Sequence, residues 1–391
     1  MSYPIYQIDS NWAEGNYLER DEDIGRLDKF WIVHPELGRS LVKIEDEIAP
    51  AWNEKVSSAI AKRLNLAAAS YEIGELVGWQ EYPEGTRAIV SLDFKQPNLE
   101  YIQGVELLLQ TDPEYYDYGV FEVLETLSQN QVRLPDNYQF PAGINDGADL
   151  FVGYLLLDSL IANNDRHDEN WEIGLDERGV MSLAPVFDNG ASFGTTLGAL
   201  VDENYDPQRH MQNDFSAFGE LHLETFKQAA RIRPNAARVW LNQLAKIEPT
   251  ELDGFLAQIP PERIKPEAQA FAQRLLEYNR TQLLSFRAEL APSSQDLDNL
   301  YRRYARDTDA QGLSETKGIA KSALAEGIEP EQVVKMLDRN NAAYRDLVAR
   351  SGVSEAKKLI VRKATMELAT SRRRQLDDGQ TKSVRRSPKR S

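Results

Sequence analysis

An apolar run that ends in a knot of polar residues constrains this chain more than any other feature. Residues 150–162 (LFVGYLLLDSLIA) are followed at once by NNDRHDEN at 163–170. The run is too short to cross a bilayer and carries an acid, Asp158, so it reads as the strongest part of a buried helix over 145–162. Asn163 and Asn164 are residues that end helices. Strand-like segments at 171–175 and 180–185 then flank the turn DERG, and LAPVFDNGASF completes the stretch at Phe193. Any fold must therefore seat one helix in a core and hold Asp165, His167, Asp168, Asn170 and Asp188 around a short hairpin.

Residues 1–28 are polar and acidic, and the pattern becomes readable at Lys29. KFWIV (29–33) and SLVKI (40–44) are β-rich runs on either side of HPELGR, a hairpin signal. After Pro50, Trp52, Val56, Ile60 and Leu64 fall on one face of an expected helix. Strands are expected at 70–77 and 87–94. The order strand, strand, helix, strand, strand describes a small mixed lobe over 1–95. A polar link, KQPNLE at 95–100, opens a mainly helical lobe over 96–292, with helices expected at 113–129, 145–162, 215–231, 235–246 and 261–290. Residues 190–213 read as a long loop over the site. A second polar segment, APSSQDLD at 291–298, leads to a helical extension over 293–372, with helices at 297–306, 314–326, 330–350 and 353–372. Residues 373–391 are basic and poor in apolar side chains, the composition of a disordered tail. The fold class expected is α+β.

Composition excludes several functions. There is no cysteine among the 391 residues, so disulfides, thiolate metal sites and a cysteine nucleophile are out, and the cytoplasm is the default location. The opening MSYPIYQIDSNW lacks the basic and apolar regions of a secretory signal, and no membrane span is expected. Residues 355–391 hold twelve Lys/Arg against four Asp/Glu, a net +8 that leaves −25 for the rest of a chain whose total is −17. An acidic body does not hold nucleic acid by its average field, so only the tail points toward such a partner. Neither GxxxxGK[ST] nor HExxH occurs, and His34, His210 and His222 lie in separate segments with no metal-triad spacing.

An acid, an amide five residues on and a second acid beyond a hairpin is the layout that phosphoryl transfer with magnesium requires. Asp165 would accept the proton of an attacking hydroxyl. Asn170 and Asp188 would supply oxygen ligands to the metal, since a hairpin brings its two ends together. Lys43 would lie on the nucleotide phosphates, with Glu54, eleven positions later, as its helix partner. Gly25 with Arg26 is the candidate nucleotide cover, although Glu19, Asp21, Glu22 and Asp23 precede it. His167 would hydrogen-bond a phosphate or Asp188, or serve as scaffolding. Taken singly, each of these residues also reads as a cap, a turn former or a solvated strand-end charge. The compound pattern favours the chemistry.

These motifs resemble a known family. NNDRHDENW followed by LAPVFDNGASFG resembles the catalytic and metal-binding loops of HipA-like kinases, and the DRHxxN wording is similar to phosphatidylinositol 3- and 4-kinases. KFWIV, SLVKI and NEKVSSAIAKRLNL resemble the small lobe of the HipA-like group, and the likeness covers roughly residues 24–290. It implies a two-lobed protein-kinase-like fold, ATP and Mg2+ as cofactors, Asp165 as acid/base, Asn170 and Asp188 as magnesium ligands and Lys43 as the ATP-phosphate lysine. The acceptor it implies is a protein serine or threonine, with a regulatory or antitoxin partner as a further expectation. Two departures count against a toxin role with serine autoinhibition: the extra amino-terminal subdomain of HipA toxins is not expected from this sequence, and residues 11–39 contain no serine. A lipid or small-metabolite kinase is the first alternative. The second is a non-catalytic nucleotide-binding or regulatory module that docks nucleic acid or an acidic partner through residues 355–391.

Overall fold

A computed structural model describes residues 2–13, 28–45, 50–113, 118–195, 205–290, 294–306, 312–325, 328, 330–365 and 367. The chain divides into two compact units, one of Met1–Phe140 with Ile144–Glu289 and the other of Pro141–Gly143 with Leu290–Ser391. Among the described residues no helix is long and apolar enough to cross a membrane.

The first unit opens with β1 (Ile5–Asp9), β2 (Lys29–His34), β3 (Gly38–Ile44), α1 (Ala51–Arg63), β4 (Tyr71–Val77) and β5 (Arg87–Leu92). These strands form one sheet in the order β1-β4-β5-β3-β2, in which only β1 and β4 run parallel. Alternation sets the two faces of the sheet. Phe30 and Ile32 pack with Ile8, Val42, Leu76, Trp79, Ala88 and Val90 in one core. Lys29, Trp31 and Val33 take the opposite face. The polar, acidic opening of the chain gave no sign of β1, which the structure adds as a parallel partner to a strand beyond α1.

Next come β6 (Glu100–Gln103), α2 (Gly104–Thr111), α3 (Val120–Gln129), α4 (Gly147–Ile161), β7 (Glu172–Leu175), β8 (Met181–Leu183), α5 (Pro207–Met211), α6 (His222–Ile232), α7 (Pro234–Leu244), α8 (Pro249–Leu256) and α9 (Pro266–Glu289). Every residue of α4 is buried, among α1, α3, α6, α7 and α9. Asp146 caps its start through the Asp149 N–H at 2.8 Å. It ends one residue earlier than the asparagines suggest, at Ala162, whose φ of 53° is left-handed. Close approach to α4 is made at Gly153, where a Cβ would lie 2.5 Å from Leu66 and 2.6 Å from Trp240. The expected hairpin is β7–β8, and β6 adds a third strand to it, so part of the supposed link before residue 104 is sheet. The helix expected over 113–129 begins only at Val120, residues 114–117 lying outside the described ones. α8 was hidden by its length and by Gly254.

The second unit holds α10 (Ser294–Arg306), α11 (Leu313–Ala325), α12 (Pro330–Asn340), α13 (Ala342–Ser351) and α14 (Val353–Lys357), the last continuing into a π-helical turn at Lys358–Arg362. Its own core includes Ile319, Val333, Met336, Leu337, Tyr344, Ile360 and Val361. A single helix over 330–350 is not formed, because Asn341 caps a new one by accepting the Tyr344 N–H at 2.8 Å. The tail over 373–391 lies outside the described residues. A five-stranded sheet near the start, followed by helices around one small three-stranded sheet, makes the class α+β, as expected.

Candidate active site

Lys43 sits near the end of β3 with its side chain nearly buried, and its ammonium meets Asp188 Oδ1 at 3.2 Å. The lysine was expected to pair with Glu54; its ion-pair partner is Asp188 instead. Glu54, in the first turn of α1 and 1% exposed, accepts the Asn189 N–H at 2.9 Å and shares a hydrogen bond with the Asp188 carboxyl. Burial, reinforced by the Asp188 charge, pushes Glu54 up to about 8. Burial also opposes the charge on Asp188, but the Lys43 ammonium overrides it and holds that carboxyl below the usual range. Asp188 has a φ of 53°, a left-handed backbone outside glycine and so a strained position of the kind found at functional sites. The Tyr71 hydroxyl of β4 accepts its N–H at 3.0 Å.

Asp165 follows α4, and its carboxylate is half exposed. Asn170 turns its amide nitrogen onto Asp165, donating to the backbone carbonyl and, at 3.2 Å, to Oδ2. The Asn170 side-chain oxygen is thereby left for another partner. His167 Nε2 lies 3.6 Å from Asp165 Oδ1, so its described charged neighbour is Asp165. Burial raises the Asp165 pKa, with His167 opposing and Asp188 adding to the rise. The rim beyond is aromatic: the Asp168 N–H donates to the Tyr118 hydroxyl at 2.9 Å, and Tyr118 meets Phe218 edge-on at 5.7 Å.

Arg166 is the residue that joins the two acidic loops, and motif reasoning gave it no role. It is 1% exposed and donates to both Asp158 oxygens, at 3.1 and 3.0 Å. Its Nη1 reaches Asn170 O at 2.8 Å and Phe187 O at 2.7 Å, and Nη2 reaches Asn189 Oδ1. One guanidinium nitrogen thus bridges the backbones beside both proposed metal ligands. The signal for it was Asp158, since an acid inside an apolar helix demands a buried cation.

Asn53 is a second unforeseen residue. Fully buried in α1, it donates to Gly190 O at 2.7 Å, Ser192 O at 3.1 Å and Thr195 Oγ1 at 2.8 Å. With Glu54 it fastens the loop after Asp188 to the small lobe. GASFG at 190–194 also carries the GxSxG spacing of a hydrolase nucleophile. Ser192 is 1% exposed, however, and its hydroxyl donates to Asn189 O at 2.7 Å, so it is a loop brace.

Gly25, the expected nucleotide cover, lies outside the described residues. His210 and His222, which read as unrelated, converge on one oxygen of Asp214, at 3.3 and 3.1 Å. Burial opposes the charge of Asp214, yet the two rings beside it, His222 through a hydrogen bond, hold its carboxyl well below the usual range. No group of three or more His, Cys, Asp or Glu among the described residues is arranged to hold a metal. A site of one carboxylate and one amide oxygen does not need such a group, because magnesium takes one or two carboxylates and completes its shell with phosphate oxygens and water. Asn170 and Asp188 supply hard oxygen donors of that kind.

No family model matches the chain, and no curated protein does. Solved structures do. The Helicobacter pylori proinflammatory kinase CtkA aligns over 73% of this chain and 99% of its own, with a TM-score of 0.53 at 16% identity. A chain of the Shewanella oneidensis MR-1 toxin–antitoxin complex of HipA, HipB and operator DNA aligns over 74% of this chain and 67% of its own, with a TM-score of 0.44 at 16% identity. The golgi casein kinase gives 76%, 75%, 0.37 and 12% for the same quantities. Only the first likeness is strong enough to carry an argument, and at that identity it speaks to architecture. The chain has a two-lobed, kinase-like α+β fold, with a small sheet-and-helix lobe and a mainly helical lobe.

Proposed function

We propose that the protein is an ATP- and magnesium-dependent kinase of the HipA-like type that transfers the γ-phosphoryl group to a hydroxyl, that of a protein serine or threonine. The observation that carries this reading is the convergence of Lys43, Asp188, Asn170 and Asp165, from β3 and two separate loops, on one another. Phosphoryl transfer asks the protein for position and charge neutralisation more than for covalent chemistry, and this set supplies both.

Asp165 is the group that takes the hydroxyl proton. Its half-exposed carboxylate is held in place by the Asn170 amide, and that exposure favours a polypeptide acceptor over one enclosed in a pocket. Lys43 carries the positive charge for the phosphate chain, kept charged in a buried place by Asp188. Asn170 and Asp188 would hold magnesium, which when bound supplies Lewis-acid neutralisation of phosphate charge. Arg166 and Asn53 keep the two ligand-bearing loops in register.

The test is transfer of label from γ-labelled ATP with Mg2+ by the parent, Asp165→Ala and Asp188→Ala, with a mixed protein acceptor. Transfer by the parent alone is expected. Equal transfer by all three removes the assignment, and label recovered only on lipid or metabolite would move the acceptor class.

A further inference from the structure

Lys29 stands directly across from Lys43 in the β2–β3 ladder. Opposed residues of an antiparallel pair share a sheet face with their Cβ atoms roughly 5 Å apart, and like charges placed so repel. The face is the one turned to the candidate site, since Lys43 on it reaches Asp188 and Tyr71, two strands along from β3, accepts the Asp188 N–H. Only one of the two ammoniums is answered. Lys43 has Asp188 at 3.2 Å, whereas Lys29, half-buried, has neither a hydrogen bond nor an ion pair among the described residues. Burial and the Lys43 charge both disfavour its protonated form, and the Asp188 charge opposes them.

A partly desolvated, unpaired ammonium beside a second ammonium is unfavourable in the empty protein. The same arrangement becomes favourable once an anion with several charges enters. A phosphate chain meets that need, because adjacent phosphate oxygens can be shared between two point-like ammoniums. We propose that Lys29 is a second phosphate-binding cation of this site, acting with Lys43 on the phosphate chain of the nucleotide. The inference rests on the kinase reading and extends it to a residue, the first of KFWIV, to which the sequence reading gave no role.

Calorimetric titration of the full chain with MgATP, for the parent, Lys29→Met and Lys29→Arg, tests it alongside thermal unfolding of the ligand-free proteins. Lys29→Met is expected to weaken MgATP binding roughly tenfold or more, the worth of one charge-assisted hydrogen bond. Lys29→Arg keeps affinity within a few-fold. The unfolding midpoint of ligand-free Lys29→Met should equal or exceed that of the parent, because the repulsion with Lys43 is gone. A purely structural lysine would lower midpoint and affinity together, and that result overturns the proposal. Unchanged MgATP affinity in Lys29→Met overturns it alone, while a parent that binds no MgATP removes the kinase reading and this inference with it.

Discussion

Arg166 and Asp158 close a two-bond ion pair inside the first unit, with side chains 1% and 5% exposed. Breaking one partner of such a pair leaves an uncompensated buried charge. Arg166→Met should cost about 3–5 kcal/mol in urea unfolding. The double change Arg166→Met with Asp158→Leu should recover part of that loss. Additive losses would show that the two groups do not act as a pair.

Asp165→Asn keeps the shape of the side chain and removes its basicity. The turnover rate should fall by about 10²–10⁴, the usual worth of a positioned general base. MgATP affinity measured by calorimetry should stay within a few-fold. A comparable loss of binding would place Asp165 on the nucleotide instead of on the acceptor.

Glu54 sets a pH dependence. Its pKa is raised by burial and by Asp188 from 4.5 to about 8, so the folded state favours the protonated form. The stability this contributes is complete below pH 4.5 and is lost as pH rises through about 8. Unfolding of the metal-free protein between pH 5 and 9, followed by circular dichroism, should show that decline, and Glu54→Gln should flatten it. A parent and a variant with parallel profiles would remove Glu54 as its source.

Asn53→Ala leaves the Gly190 carbonyl without its donor and takes one of several from Ser192 O, which Thr195 also reaches. A cost of about 1–3 kcal/mol is expected for buried groups so exposed, with faster hydrogen exchange in the residues after Asp188. Asn53→Asp should be worse than alanine, because it sets a carboxylate against two carbonyl oxygens. Protection unchanged in both variants would mean that the loop is held elsewhere.

Local patterns made much of this molecule legible. β2, β3 and α1 carry their own periodicity, and the run from α4 to Asp188 is a compound motif whose meaning survives without neighbours. The rest depended on distance. β1 is only five residues, IYQID, set in a polar opening segment, and its place is fixed by β4 beside it. Arg166 and Asn53 act through atoms brought to them by the folded chain, Arg166 from both sides of a hairpin and Asn53 from more than a hundred residues away. The Lys43–Glu54 pairing is a related case, since sequence spacing placed both groups at the cleft but had no means of showing that Asp188 would come between them. His210 and His222 converge for the same reason, through Asp214 in the turn that separates them.

The backbone at Asp188 narrows what evolution or an engineer can place there. A φ of 53° admits glycine readily and, of the other residues, chiefly asparagine and aspartate. Lys43 beside it asks for a negative charge, which glycine and asparagine lack. Glutamate has the charge but not the tolerance for that conformation. A saturation library at this codon should therefore return one functional letter, with conformation and electrostatics each discarding what the other would accept.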